Sequence, residues 1–262
     1  MPPRRPQATD RTVGTCAYCA RSGVRSETEH VFPESWYPDG FPRSAMLVVP
    51  ACRPCNGNYG RIEERMFLPL VGGLPGDRAT ASLIGRALRG VDPTQGRSVR
   101  DTSHRAARPR SIQARLGVLT SESREQMVWT PEQPGPQRLC TPAGLHVQGI
   151  PTVAFEPHDL ESLAIKFLKG CYYAHKRVPL RVDAVCDART FSQDPINALT
   201  QAERSLHLNY GGQPPFRYAF ARSIECDTTS LWFFVLWNHY VLAASAVSPE
   251  HSGIESSLSN TL

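Results

Sequence analysis

The segments C16-A-Y-C19, E29-H30-V31-F32-P33 and V49-P50-A51-C52-R53-P54-C55-N56 fall in one short stretch near the start of a 262-residue chain, and the reading of the fold turns on them. Two C-x2-C pairs are separated by 32 residues, which is ligand spacing for a four-thiolate zinc site. Two residues between paired cysteines let both sulfurs reach one ion from a tight knuckle, and a second pair completes the tetrahedron. Zinc on Cys16, Cys19, Cys52 and Cys55 would staple a segment too short to hold itself together. The competing reading is four unrelated thiols, and the recurrence of the paired spacing argues against it.

Outward from the cysteines, Val31 and Phe32 favour a strand that Pro33 ends or bends. Trp36 to Arg43 contains Pro38, Asp39, Gly40 and Pro42 and reads as a loop. Met46 to Val49 reads as a second strand running into the second knuckle. From Arg61 onward Ile62, Met66 and Leu70 keep helical spacing, with Asn56 or Asn58 placed to cap the start. The order is strand, loop, strand, helix.

This combination resembles the HNH endonucleases, the ββα-metal or His-Me finger nucleases, in their zinc-stapled, four-cysteine branch. In strong form the resemblance covers the first quarter of the chain. It implies that His30 is the general base that takes a proton from the attacking water. It implies that Glu29 and Asn56 hold a catalytic Mg²⁺ or Mn²⁺, and that Cys16, Cys19, Cys52 and Cys55 hold a structural Zn²⁺. The placing of Glu29 and His30 beside Asn56 comes from the resemblance and not from spacing. The family's middle asparagine falls near Ala45 to Leu47 and is absent here. A looser likeness to the C-terminal part of some bacterial HNH proteins covers K169-G-C-Y-Y-A-H-K-R-V-P179.

The residue types suit that chemistry on their own terms. A neutral imidazole accepts a proton near pH 7. A carboxylate and an amide oxygen are hard ligands for Mg²⁺ or Mn²⁺, and two of them leave positions open for water and phosphate. Four thiolates fill a zinc shell, so the zinc and the catalytic ion have different tasks. Taken singly, His30 also fits a packed strand residue, Glu29 a solvated one and Asn56 a helix cap.

The net charge is +5, and 26 of the 29 basic residues are arginine. Arginine forks match phosphate oxygens, which points to nucleic acid; a GC-rich genome gives the same bias. From Gly96 to Arg115 the chain carries Arg97, Arg100, Arg105, Arg108, Arg110 and Arg115 against one acid, Asp101. It reads either as a solvated loop or as a surface for phosphates flanking a nuclease site.

The remaining elements are read from pattern. Asp77 to Arg89 looks helical and Gly90 stops it. Gln126 to Trp129, Leu145 to Val147 and Thr152 to Phe155 read as short strands. Asp159 caps a helix carrying Leu160, Leu163, Ala164, Phe167, Leu168 and Cys171 on one face. Phe216 to Glu225, Leu231 to Trp237 and Tyr240 to Val247 form an antiparallel meander with a tight turn at Asn238-His239. These apolar runs are short for a bilayer span, and the basic N-terminus is followed by no apolar run. Cys140, Cys171, Cys186 and Cys226 are scattered, which suits a reducing cytoplasm.

The expected fold class is α+β: a zinc-stapled ββα module over 13–70, a connecting region over 71–150, and a C-terminal helix-plus-meander domain over 151–248. Tails are expected at 1–12 and 249–262. The expected function is a metal-dependent endonuclease hydrolysing phosphodiester bonds, with DNA as the favoured partner and no membrane association. The alternative is a catalytically inactive zinc module that binds nucleic acid or a protein partner.

Overall fold

A computed structural model describes residues 13–74, 78–113, 116–119, 137–140, 150–192, 195–224 and 226–249. The chain is mixed, with helices set against antiparallel sheets. The strands read at Gln126 to Trp129 and Leu145 to Val147, the N-terminal tail 1–12 and residues 250–262 of the C-terminal tail lie outside the described residues.

Strands β1 (Val13–Gly14), β2 (Val24–His30) and β3 (Val48–Cys52) form the first sheet, in which β2 lies between its antiparallel neighbours. The β2–β3 register pairs Ser26 with Cys52, Glu29 with Val49 and His30 with Val48. Helix α1 (Arg53–Gly72) follows β3 without a linker. It begins eight residues before the expected Arg61 and is capped at Cys52, not at Asn56 or Asn58. Pro54 in its first turn has φ pre-set for helix and has no N–H to leave unpaired there.

Val31 and Phe32 lie beyond the end of β2 and are buried. The Val31 N–H still donates to the Leu47 carbonyl at 2.9 Å, so the loop is tied to the strand by main chain at the position where Leu47 offers no polar side chain.

Helix α2 (Arg78–Val91) reaches back to that loop, its Arg86 donating to the carbonyls of Ser35 and Tyr37 and pairing with Asp39. The arginine-rich stretch expected as a loop is instead a helix, α3 (Val99–Gln113). Arginine and alanine are strong helix formers, and Asp101 in the first turn pairs with Arg105 one turn on. Strands β4 (Leu116–Leu119), β5 (Gln137–Cys140) and β6 (Ile150–Phe155) form a second antiparallel sheet in the order β4-β6-β5.

Helix α4 (Pro157–Lys176) starts two residues before the expected cap, with Glu156 at the cap position. Asp159 takes both a 2.8 Å and a 2.5 Å hydrogen bond from Arg65 of α1. After β7 (Val185–Ser192) and α5 (Pro195–Ser205) come β8 (Asn209–Gln213), β9 (Phe216–Arg222), β10 (Ser230–Leu236) and β11 (Tyr240–Val247). They form a five-stranded sheet in the order β7-β11-β10-β9-β8.

Strands β10 and β11 read as continuous apolar runs because both faces are covered. Trp232, Phe234 and Leu236 face the main core, while Phe233 and Val235 pack with Ala202 of α5. The connecting turn sits one residue earlier than expected, at Trp237 and Asn238, whose φ values of 51° and 55° are left-handed. Among the described residues no helix is long and apolar enough to cross a membrane.

Among the described residues one core runs through both halves of the chain. Phe32 stacks on Phe216 at 5.0 Å and meets Phe167 at 4.8 Å. The Trp237 indole N–H donates to the Trp36 carbonyl at 3.0 Å, and the Tyr240 hydroxyl donates to the Leu70 carbonyl at 2.7 Å. One cluster of buried side chains thus joins the N-terminal sheet and α1 to α4 and the C-terminal sheet.

Candidate metal centre and the Glu29–His30 pair

The four expected cysteines converge. Each of Cys16, Cys19, Cys52 and Cys55 brings its sulfur within 4.8 Å of the others. Four thiolates about 2.3 Å from a tetrahedral zinc would lie about 3.8 Å apart, and the Cys19 and Cys52 sulfurs are 3.8 Å apart. That separation is far too long for a disulfide, whose sulfurs stand about 2.0 Å apart. The set fits a metal ion such as zinc.

Local structure explains the convergence. The first knuckle turns through Ala20, with φ 57°, and is closed by Ala20 N–H to Cys16 O and Cys16 N–H to Arg21 O, both 3.0 Å. Ala17 N–H donates to Pro50 O at 2.9 Å, seating that knuckle on β3. The second knuckle is the β3–α1 junction itself, with Cys52 ending the strand and Cys55 in the first helical turn. The Cys52 N–H donates to the Cys16 sulfur at 3.3 Å. Burial pushes the Cys55 thiol up, and the neighbouring sulfurs of Cys52, Cys16 and Cys19 push it further. A dication relieves that crowding by letting the thiols ionise together.

On β2 the side chains alternate. Glu27 and Glu29 share one face, and His30, the last residue of the strand, is half-buried. The Asn56 amide N–H₂ donates to Glu27 Oε2 at 3.2 Å. The Glu29 Oε1 instead receives the ammonium of Lys166 from α4 at 2.7 Å. Among the described residues no hydrogen bond joins Glu29, His30 and Asn56 directly.

Lys166 is fully buried. Besides Glu29, its ammonium donates to the main-chain oxygen of His30 at 2.8 Å and to the carboxylate of Glu63 on α1. Burial pushes the Glu63 carboxyl up, opposed by Lys166 and reinforced by the charge of Glu29. Tyr18, from the first cysteine knuckle, packs its ring 4.9 Å from that of Tyr59 on α1, and the Lys166 ammonium lies 6.0 Å from the Tyr59 ring. Among the described residues the buried Tyr18 hydroxyl has no hydrogen-bond partner. Burial raises its pKa, and the charges of Glu29 and Glu63 raise it further.

Glu27, Glu63, Lys166 and Tyr18 were not among the expected site residues. Glu63 had a signal, since it lies seven residues after Asn56 and hence on the same face of α1. Glu27 had one too, two residues before Glu29 on the same strand face. Lys166 carried only a faint mark, as a charge among the apolar residues Leu163, Phe167 and Leu168 of α4.

Lys166 occupies one oxygen of Glu29 and leaves Oε2; Glu27 takes the Asn56 amide nitrogen and leaves Oδ1.

Of the arginines expected to meet phosphate, Arg97, two residues before α3, and Arg100, in its first turn, are exposed. Arg105 is held by Asp101 and the Arg89 carbonyl. Arg108 and Arg110 lie in α3, and their side chains fall outside the described residues. A cavity of about 170 Å³ lined by Phe32, Tyr37, Phe41, Phe216 and Tyr218 opens beside the loop after β2. It contains none of the expected site residues. No protein-family model, no curated protein and no solved structure matches the chain.

Proposed function

We propose that the chain is an HNH-type, metal-dependent endonuclease that hydrolyses phosphodiester bonds in DNA, with the cysteine cluster holding a structural zinc. The observation that carries this reading is the order of parts in one small unit. Two antiparallel strands lead into a helix, a four-thiol cluster pins the start of that helix, His30 ends the first strand and Asn56 sits in the first helical turn.

In this reading His30 accepts a proton from the attacking water through its imidazole. Glu29 and Asn56 supply the oxygens for the divalent ion. When bound, that ion would supply charge stabilisation to the phosphodiester oxygens. Glu27 orients the Asn56 amide, so that its oxygen and not its nitrogen is presented. The thiol cluster keeps the helix start in register with β2. Arg97 and Arg100 add sequence-independent attraction for the backbone phosphates.

One observation favours a second reading, a non-catalytic zinc module that binds nucleic acid or a protein partner. Glu29 already holds an ammonium at 2.7 Å, and a cation site satisfied by lysine has no need of a metal. Supercoiled plasmid incubated with the purified protein separates the two. Nicking that requires Mg²⁺ or Mn²⁺ supports the nuclease. Binding without any strand scission, at every divalent ion tried, supports the second reading.

A further inference from the structure

We propose that Lys166 is the positioning residue of the Glu29–His30 pair, so that α4 of the C-terminal half completes the site of the N-terminal module. This inference rests on the nuclease reading above.

A lysine with no exposed surface is among the costliest residues to bury, and replacing a buried ion pair with apolar side chains is often neutral or stabilising. Its place therefore requires a reason other than stability. Lys166 lies on α4 between Leu163 and Phe167, both fully buried. Its ammonium has three hydrogens, and each has an acceptor: Glu29 Oε1, the His30 main-chain oxygen and the Glu63 carboxylate. Two of these acceptors belong to consecutive residues, the ones assigned to the metal and to the water.

A single ammonium thus fixes the direction of one carboxylate and the backbone that carries the imidazole. By taking Oε1 it leaves Oε2 for another partner. Glu63 holds the lysine from the other side, as outer-shell partners of metal ligands commonly do. One turn along α4, Gly170 packs directly on Val31, so the helix grips the chain on both sides of His30.

The test uses full-length, zinc-loaded protein and Mn²⁺ as probe. Mn²⁺ binding is measured by calorimetry, and plasmid cleavage is titrated with Mn²⁺, for wild type, Lys166→Met and the double variant Lys166→Met/Glu63→Gln. The double change keeps two freed carboxylates from forming a new cation site, and it carries the measurement if the single variant does not fold.

In the double variant, Mn²⁺ affinity is expected to fall about 10–100-fold, with the Mn²⁺ needed for half-maximal cleavage rising in parallel. A lysine with a purely structural role would lower the melting temperature and leave the Mn²⁺ affinity of the folded protein unchanged; that result overturns the proposal. His30→Ala separates the two layers. If it binds Mn²⁺ but does not cut, while the Lys166 variants bind as wild type does, the nuclease reading stands and the role of Lys166 fails. A wild type that neither binds Mn²⁺ beyond its zinc nor cuts overturns both.

Discussion

Gly170 on α4 approaches Val31 so closely that a Cβ at position 170 would lie 2.7 Å from a Val31 methyl carbon. A glycine inside a helix ordinarily costs about 0.5–1 kcal/mol relative to alanine. Here the missing side chain is what lets α4 seat against the residue after His30. Gly170→Ala is therefore expected to destabilise the protein by about 1–3 kcal/mol, in spite of its gain in helix propensity. Adding Val31→Ala should restore part of the loss. Urea unfolding of the three proteins checks this, and a stabilised Gly170→Ala would contradict the packing.

The cysteine cluster predicts one tightly held zinc per chain. Cys16→Ser and Cys52→Ser should each lose it, with the melting temperature falling by ~10 °C or more, because metal binding and folding of the knuckles are coupled. Elemental analysis beside thermal unfolding measures both. Retention of full zinc by either variant would show that the four sulfurs do not share an ion.

Acid should weaken the fold through two histidines. Burial depresses His175, assisted by the nearby Arg222 charge, and burial depresses His239 against a hydrogen bond with the Gly73 backbone. The unfolded chain then binds protons more readily than the folded one around the ordinary histidine pKa of about 6.5. Their stabilising contribution is present above that pH and is lost as pH falls through the depressed values. Glu63, raised by burial, acts in the opposite sense nearer its carboxylate range. Urea midpoints from pH 7.5 to 5.5 should fall for wild type and fall less for His239→Asn. An equal slope in that variant would remove His239 from the account.

Nucleic-acid affinity should divide the arginines in and just before α3. Arg97→Glu and Arg100→Glu are expected to weaken DNA binding and to lower the salt slope by about 1 for each phosphate no longer neutralised. Arg105→Glu breaks the pair with Asp101 and should act chiefly on stability. Binding isotherms across a salt series distinguish these outcomes. Unchanged slopes in the first two variants would remove α3 from the interface.

Much of the local architecture is legible in the sequence, and the long-range assembly is not. The C-x2-C pairs announce their own convergence, because the ligand geometry is local in each knuckle. The apolar runs of β10 and β11 likewise declare themselves as strands. The arginine-rich α3 escapes a pattern reading because charge masks helical periodicity where none of its described side chains is buried. The start of α1 escapes it because the first two turns carry glycines and a proline, and a metal-ligand knuckle stands where a polar cap is expected. Glu29 reads as a lone acid beside a histidine. Its partner Lys166 lies 137 residues away, and no spacing rule reaches that far.

In the proposed nuclease site His30 abstracts the proton, and the rate of plasmid nicking by His30→Ala against wild type tests this role. Both proteins are to be compared at equal zinc content and saturating Mn²⁺, well below either melting temperature. Loss of a general base should cut the rate by about 10²–10⁴-fold, while the zinc and the fold remain. A His30→Ala protein that nicks as fast as wild type would contradict the account.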